Sequence, residues 1–471
     1  MYQRHLIKDS DVEPLAQAVF KVLDKVGIMC QNQDILRALK AMGAEVDLRA
    51  ERVSFPKKMQ QTFVEQIRKE HSKRDTNAPP KFTPPGLPGL GTQVAQFYHD
   101  FPSRERRSGN KEDFIRLVKL GDALHGSSGV GHCLLLTDVP PLLEPLEAAL
   151  LLAEYAHKPQ PAFAWHVRTA DYLIEMGEIL GIKKWFTYGA NCFAHPLRLD
   201  KDVADKFVRR VREGEAAGLA AMPVVGVSAP VTLAGFIAVT SAEFLAVWMA
   251  GRAVNPSASL GGSMWTGTMD MHTGEVSYCA FDAMFYAFAT VEFLRRWTGM
   301  EVPVGGGEYC AAKEPGLYAA LEKAYKAMTI AAFSGRHPSV GCGMLDDGKV
   351  LSPVQLLVER DLSHGLGHLA RPLELTPEAI PWETILDVGV GIEKNYLESE
   401  HTLRHFRQCL WLPEFIQRSG WSGGEQDKTM LANAQKKVEE LTAQYRKPEV
   451  DPDKLARMRK VAERARKELL S

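Results

Sequence analysis

The segment VGHCLLLT (130–137) runs into LEPLEAALLLAEYA (143–156), and PAFAWHVR (161–168) runs into DYLIEMGEILG (171–181). Each pair is a short apolar run, a polar or glycine-rich loop and then an amphipathic helical pattern. Upstream, TQVAQFYH (92–99) precedes KEDFIRLVKLGDAL (111–124) in the same way. Downstream follow KWFTYGANCF, LAAMPVVGVSAPVT, ASLGGSMW, VPVGGGEY and PSVGCGML, each ahead of its own helical stretch. From Gly91 to Leu369 the unit occurs eight times. That rhythm predicts an α/β fold, specifically a (β/α)8 TIM-type barrel.

The flanks read differently. Residues 1–90 are expected to be an N-terminal helical extension ending in the linker KFTPPGLPGLG, residues 91–370 the barrel, and residues 371–471 a C-terminal helical extension. Val12, Leu15, Ala16, Val19, Phe20 and Leu23 make one apolar stripe, and Ile35, Leu36, Leu39 and Met42 a second that stops at Gly43. A third helix is expected near 56–70. LTPEAIPWETILDVGVG (375–391) and the Trp-containing stretch around Cys409–Trp421 read as packing elements, and the charge-rich helices of 426–470 read as solvated faces.

Composition excludes several function classes. Of 471 residues, 45% are apolar and 24% charged, with a formal net charge of -1. Neither a nucleic-acid footprint nor a membrane-surface patch is expected. The polar start MYQRHLIKDSDVEP shows no secretory signal. No run reaches about 18 uninterrupted apolar residues, so no membrane span is expected. Seven cysteines without CxxC spacing read as reduced thiols in a cytoplasmic protein.

On a barrel of this kind the chemistry sits just past the strands. That rule selects Tyr98, Trp165, His166, Asn191, Phe193, His195, Trp265, Glu308, Tyr309 and Met344 as candidate substrate-binding residues. Phe163, Trp165 and Val167 would share one face of the third strand, with His166 and Arg168 on the other. Tyr98, Trp165, Phe193, Trp265 and Tyr309 are dense enough in aromatic faces to hold a cation without a buried counter-charge, at roughly 0.5–2 kcal/mol per contact. A quaternary ammonium suits such faces because it donates no strong hydrogen bond. No GxSxG, HExxH or Walker loop is present, and no residue is singled out as catalytic. Zinc could draw ligands from His132, Cys133, Cys192, His195, Cys310 and Cys342, although such scattered thiols read better as buried small apolar groups; no metal is expected. Lys313 could form a Schiff base, but reads better as a surface or ion-paired lysine.

Three separated blocks, VGGGEY…VERDL (304–362), MPVVGVSAPVTLAGFIAVTSAEFLA (222–246) and ALKAMGAEVDLRAERVSFPKKM (38–59), resemble the trimethylamine methyltransferase superfamily. The resemblance covers roughly residues 10–370 and implies a barrel enzyme that moves a methyl group from a methylated amine to the cobalt of a separate corrinoid protein. Founding members carry pyrrolysine. This chain has only the standard residues, so it resembles the non-pyrrolysine branch, which demethylates quaternary amines such as glycine betaine, proline betaine or carnitine. The cobalamin is then expected on a corrinoid partner protein that docks over the barrel mouth, since no DxHxxG loop occurs here, and no cofactor is expected to be bound by this chain itself. A substrate carboxylate would fall to His166, Arg168, Asn191, His195 or a backbone N–H, with His166 and Asn191 the first choices. A homo-oligomer is expected. Two other readings compete: a zinc-dependent methyltransferase that activates a thiol, and a non-catalytic betaine-binding protein.

Overall fold

The computed structural model describes residues 5–71, 86–125, 128–189, 192–334 and 340–471. Asn191 and the first five residues of the linker KFTPPGLPGLG lie outside these residues. The chain is a mixed α/β protein. The N-terminal helices are α1 (Asp9–Lys25), α2 (Gln33–Met42) and α3 (Lys57–His71). Then come α4 (Lys111–His125), α5 (Glu144–Tyr155), α6 (Val167–Leu180), α7 (Lys201–Arg212), α8 (Leu233–Val254), α9 (Phe281–Thr298), α10 (Leu317–Ser334) and α11 (Pro353–Gly367). The last are α12 (Trp382–Val388), α13 (Glu400–Cys409), α14 (Gly424–Gln444) and α15 (Pro452–Leu469). Local chemistry sets the ends of α2: the Asn32 side chain accepts from the Asp34 and Ile35 N–H groups, and Gly43 closes the helix at φ 109°.

Strands are two to five residues long. Their parallel pairing follows chain order. Ala95 bridges Leu134, Val130 bridges Pro159, and Ala162–Phe163 pairs with Phe186–Thr187. A second run joins Ala217–Ala221 to Leu260–Met264, Met264 to Val304, and the Gly341 N–H to the Gly307 carbonyl. Val350–Leu351 then lies beside Phe97–Tyr98. Among the described residues no strand pairing joins Phe186–Thr187 to Ala217–Ala221, and no closed barrel is found. The expected fold is therefore met as mixed α/β, with short strands that leave the sheet in five pieces.

Two segments differ from expectation. The third strand ends at Phe163, and the chain turns into α6 at Val167. His166 is the N-cap of that helix, its Nδ1 accepting the Arg168 N–H at 3.0 Å, so His166 and Arg168 do not face outward from a strand. A capping bond outcompetes extension here, as it does for other side chains with a short reach to the backbone. Of the two stretches expected to pack, 375–391 does not, with Leu375, Trp382 and Val390 at 74%, 63% and 90% exposed, whereas 409–421 packs in part, Trp411 donating its indole N–H to the Asp361 carbonyl and Phe415 being buried. The latter is also tied down by the Asp361 carboxylate, which accepts the N–H groups of Glu414, Phe415 and Ile416. The charged helices α14 and α15 are also more than solvated faces. Met430, Leu431 and Ala434 pack under α11, and Leu455, Met458, Val461, Ala465 and Leu469 against α5 and α6.

The core falls in two main clusters that ignore chain order. Val19, Phe20 and Leu23 of α1 pack with α8 and α9, where Phe20 meets Trp297 edge-on at 5.6 Å. Residues between Leu90 and Tyr188 instead pack with Met344, Leu351, Leu356 and α15. By length and composition α8 is apolar enough to cross a membrane, but 78% of its most apolar window is buried inside the protein.

Candidate functional site

The end of the run Val302–Tyr309 faces α10 and the loop before α9. Gly305 and Gly306 lie directly against Trp265 there. A Cβ on Gly305 would lie 2.5 Å from Trp265 Nε1, and one on Gly306 would lie 2.6 Å from Trp265 Cδ1 and 2.7 Å from Lys326 Nζ. Gly306 also sits at φ 90°, a conformation that side chains resist. The glycines thus let an indole and an ammonium approach the backbone closely. Tyr278 and Tyr309 stand edge to face at 6.1 Å, and the Tyr309 ring closes over Gly348.

Charges around this chamber are strongly perturbed. Lys326 is 2% exposed, and its Nζ donates to the Tyr278 carbonyl. Among the described residues no carboxylate oxygen lies within ion-pair distance of it. Burial pushes its ammonium below the ordinary lysine value, with Cys279, Glu308 and Asp347 pulling the other way. Burial raises the Asp347 carboxyl to about 6, against the Tyr278 N–H and the nearby Lys326 charge, which lower it. Burial also raises the Tyr278 and Tyr309 phenols and the Cys192, Cys279 and Cys342 thiols. Such thiols stay protonated, which is not the state of a metal ligand or a nucleophile. Trp265 Nε1 is buried without a hydrogen-bond partner.

Lys323, one turn before Lys326, carries a different burden. It is fully buried and bonds to Glu359 Oε1 and the Met344 carbonyl. Burial opposes its charge, but Glu359 beside it holds the ammonium above its ordinary value. Glu359 Oε2 in turn accepts the Cys342 and Gly343 N–H groups at 2.8 and 2.7 Å. This pair pins α10 to the strand Met344–Leu345 and so fixes where Lys326 points.

The sequence-selected residues divide among several places. Trp265, Glu308 and Tyr309 gather at the chamber just described, and the Cys192 thiol, next to Asn191, is close enough to act electrostatically on Tyr278 and Tyr309. Trp165 lies 4.3 Å from Phe163 with the ring planes tilted by 39°, its indole N–H given to Glu144 Oε2 at 2.7 Å. The buried Glu144 also accepts from His132 Nε2 at 2.8 Å and from the Leu136 N–H at 3.0 Å. His195 has both ring nitrogens engaged, Nδ1 with Glu243 at 2.7 Å and Nε2 with the Met222 N–H at 3.0 Å. Since Nε2 accepts, the proton sits on Nδ1. Tyr98 lies under the Arg107 guanidinium at 4.8 Å, and Phe193 and Met344 are 4% and 1% exposed in core clusters. Lys313 is an exposed ion pair with Glu275 at 2.9 Å. Among the described residues no group of three or more His, Cys, Asp or Glu side chains is placed to hold a metal ion.

Lys326, Tyr278, Asp347 and the Glu144–His132 pair were not singled out by sequence. One signal was present: Lys323 and Lys326 occupy the apolar stripe of α10 with Ala319, Ala327 and Ile330. A lysine at a core position needs a reason.

Comparison with known proteins adds to this geometry. The family described as trimethylamine methyltransferase (MTTB) matches residues 2–469. The trimethylamine methyltransferase MttB2 of Methanosarcina mazei is 26% identical over 275 residues, 58% of this chain and 54% of that relative. The alignment thus spans about half the length of the curated trimethylamine methyltransferases it matches. The glycine betaine methyltransferase of Desulfitobacterium hafniense is 20% identical over 463 residues, 95% of this chain and 94% of that protein. The L-carnitine:corrinoid methyltransferase of Eubacterium limosum is 21% identical over 435 residues, 87% and 86% of the two chains.

Proposed function

The chain belongs to the trimethylamine methyltransferase (MTTB) family, and from that premise we propose that it transfers a methyl group from a quaternary amine, such as glycine betaine, proline betaine or carnitine, to the Co(I) corrinoid of a separate partner protein. The observation that carries this reading is the cluster of Trp265, Tyr278 and Tyr309 packed about Gly305, Gly306 and Gly348. Aromatic faces attract a cation that cannot donate hydrogen bonds, at roughly 0.5–2 kcal/mol per face. Relatives named for glycine betaine and carnitine align over most of the chain and support the same substrate class.

The chemistry asks little acid–base help of the protein. The quaternary nitrogen is already positive. Its C–N bond breaks, the electron pair stays on nitrogen to give a tertiary amine, and the methyl group passes to the strongly nucleophilic acceptor. The residues of this chain orient the methyl group toward the mouth and keep water out. Reduced cobalt survives best in the cytoplasm, where the seven free cysteines of this chain are also at home.

Finer architectural readings accompany this proposal. The two runs of parallel pairing are the two halves of a (β/α)8 barrel carried by residues 91–370, with 1–90 and 371–471 as helical extensions. Their agreement with chain order supports this. The chain works as a homo-oligomer in which a second copy covers the exposed stretch 369–403. Nine large apolar side chains there, from Leu369 to Leu403, are more than half exposed. At on the order of 100 Å² each they exceed the roughly 800 Å² that one partner buries in a standard interface.

The deciding experiment mixes the protein with a Co(I) corrinoid protein and a panel of betaines and methylamines. Turnover is read as loss of the Co(I) absorbance with formation of the methylated corrinoid. Betaine-dependent methylation is expected. Tight betaine binding with no transfer to any corrinoid acceptor would refute catalysis and leave a binding protein.

A further inference from the structure

Helix α10 is inside out. Its three charged residues, Glu322, Lys323 and Lys326, are all buried, while its exposed positions are Tyr318, Leu321, Met328 and Phe333. A surface helix ordinarily turns its charges outward and its apolar stripe inward. The inner charges are accounted for: Lys323 bonds to Glu359, Lys326 to the Tyr278 carbonyl, and Glu322 accepts the Ala312 N–H at 2.9 Å. The outer stripe stays open within one chain, with Tyr318, Leu321 and Met328 at 67%, 58% and 58% exposed. Helix α9 lies alongside and widens it. Phe281 stacks on Tyr325 at 4.8 Å and Phe288 on Phe333 at 4.3 Å, and Phe281 and Phe285 face solvent. The Tyr286 hydroxyl donates to the carbonyl of exposed Val231, and the exposed Met271 reaches back to Gly226 in the same loop. These eight exposed side chains, at on the order of 100 Å² each, offer about 800 Å² of apolar surface, more than the roughly 300–600 Å² of the largest patch on a typical monomer.

We propose that the α9–α10 face is the seat of segment 369–403 of a second copy, and that two copies exchange these segments reciprocally about a two-fold axis. The proposal rests on the homo-oligomer reading above and names the surface that reading leaves open. The segment is held only at its root. It leaves α11 after Gly367 and returns to the same helix, where Trp411 donates to the Asp361 carbonyl and packs on Gly365. Helix α10 runs beside α11, joined from the Gly316 N–H to Gln355 and from Lys323 to Glu359, so α10 ends close to where the segment begins. A two-fold axis near that root brings each segment over the other copy's face. Within one chain both surfaces are exposed, so neither covers the other. Their sizes agree, eight large side chains on the face against nine on the segment. Each contact then buries about 1,700 Å² and the reciprocal pair about 3,400 Å², within the range of obligate homodimers. The outward positions of α10 carry no charge, so a partner's apolar side chains strand no ion there. A copy seated on the outside of α10 also steadies the helix whose inner side holds Lys326 against Tyr278.

The test is the mass of the full chain in solution, read by sedimentation equilibrium at micromolar concentration. The face variant is Leu321→Glu with Met328→Glu, and the segment variant is Leu386→Lys with Val390→Lys. All four side chains are exposed, and each variant is first shown to melt cooperatively. The wild type is expected at two chains or an even multiple. Each variant alone should weaken the association at least about 100-fold, because its new charges meet apolar surface. An equimolar mixture of the two should recover it, since one contact of the mixed dimer sets glutamates against lysines and the other is unmutated. A face variant that associates like the wild type, or a mixture no tighter than its parts, overturns the proposal. If the segment variant dissociates in that case, the homo-oligomer reading stands with another seat. A face variant that keeps its mass but loses methyl transfer to the corrinoid protein assigns the face to that partner and overturns the proposal as well. A monomeric wild type overturns both.

Discussion

Breaking the buried pair Lys323–Glu359 should destabilise the protein far more than removing it whole. Lys323→Met leaves the Glu359 carboxylate with only the Cys342 and Gly343 N–H groups in a fully buried place. Glu359→Gln is no better. Whichever way the amide turns, its NH2 meets either the Lys323 ammonium or the two backbone N–H groups. Removing one partner of a buried ion pair costs about 3–5 kcal/mol. In the double variant the amide oxygen keeps both backbone donors and the NH2 can reach the Met344 carbonyl that Lys323 vacates. That combination should cost only about 1 kcal/mol, less than either single change, giving a coupling of several kcal/mol. An unfolding entropy of about 2.1 cal/mol/K per residue over 471 residues is about 1 kcal/mol/K, so each single variant should melt about 3–5 °C low. Differential scanning calorimetry of the four proteins reads this directly. Single variants within 1 °C of wild type, or a double variant whose loss equals the sum of the singles, would refute the assigned role of the pair.

Three further outcomes follow from the site. Glu144→Gln cannot accept from Trp165 on one oxygen and from His132 and Leu136 on the other, so one buried donor goes unmet at about 1–3 kcal/mol, seen as a lower melting point; an unchanged melting point would argue against the three-donor arrangement. Asp347 has its carboxyl raised to about 6, so the fold is favoured by its protonated form below the unfolded value and loses that contribution as pH rises through 6. Asp347→Asn should therefore gain about 1–3 kcal/mol at pH 8 and nothing at pH 4, with its φ of 52° suited to asparagine; an equal effect at both pH values would dismiss the titration. Gly306→Ala places a methyl group against Trp265 and Lys326 in a conformation costing about 1–3 kcal/mol, and should abolish betaine binding; a variant that binds normally would show that the chamber lies elsewhere.

Helix positions were the most legible feature, because their apolar stripes repeat with helical period. The helical stretches expected after LAAMPVVGVSAPVT and VPVGGGEY are α8 and α10. Strands were legible as places but not as a closed sheet. The run VGGG contains so much glycine that its pairing reduces to an isolated bridge at Val304, and closure depends on packing that no short pattern encodes. The third unit misled because PAFAWHVR looks extended to its end, whereas the His166 ring caps α6. At the candidate site, Trp265, Glu308 and Tyr309 could be found from their place past a strand. Lys326 could not be found that way, since it projects from a helix. Its core position on α10 only becomes informative when Lys323 three residues earlier is seen to have Glu359 while Lys326 has no such partner.

The interleaving of the core puts a time on the synthesis of this protein. Helix α1 shows Val19, Phe20 and Leu23 to α8 and α9, which end at residues 254 and 298. A ribosome adding about 5–20 residues per second needs tens of seconds to travel from α1 to the end of α9. For all that interval only α3 and the residues around Val53 and Phe55 can cover any of that first apolar face, and the side that meets α8 and α9 stays open to the ribosome surface or a holding chaperone. The second cluster waits longer still, for α15, the last helix to leave the ribosome.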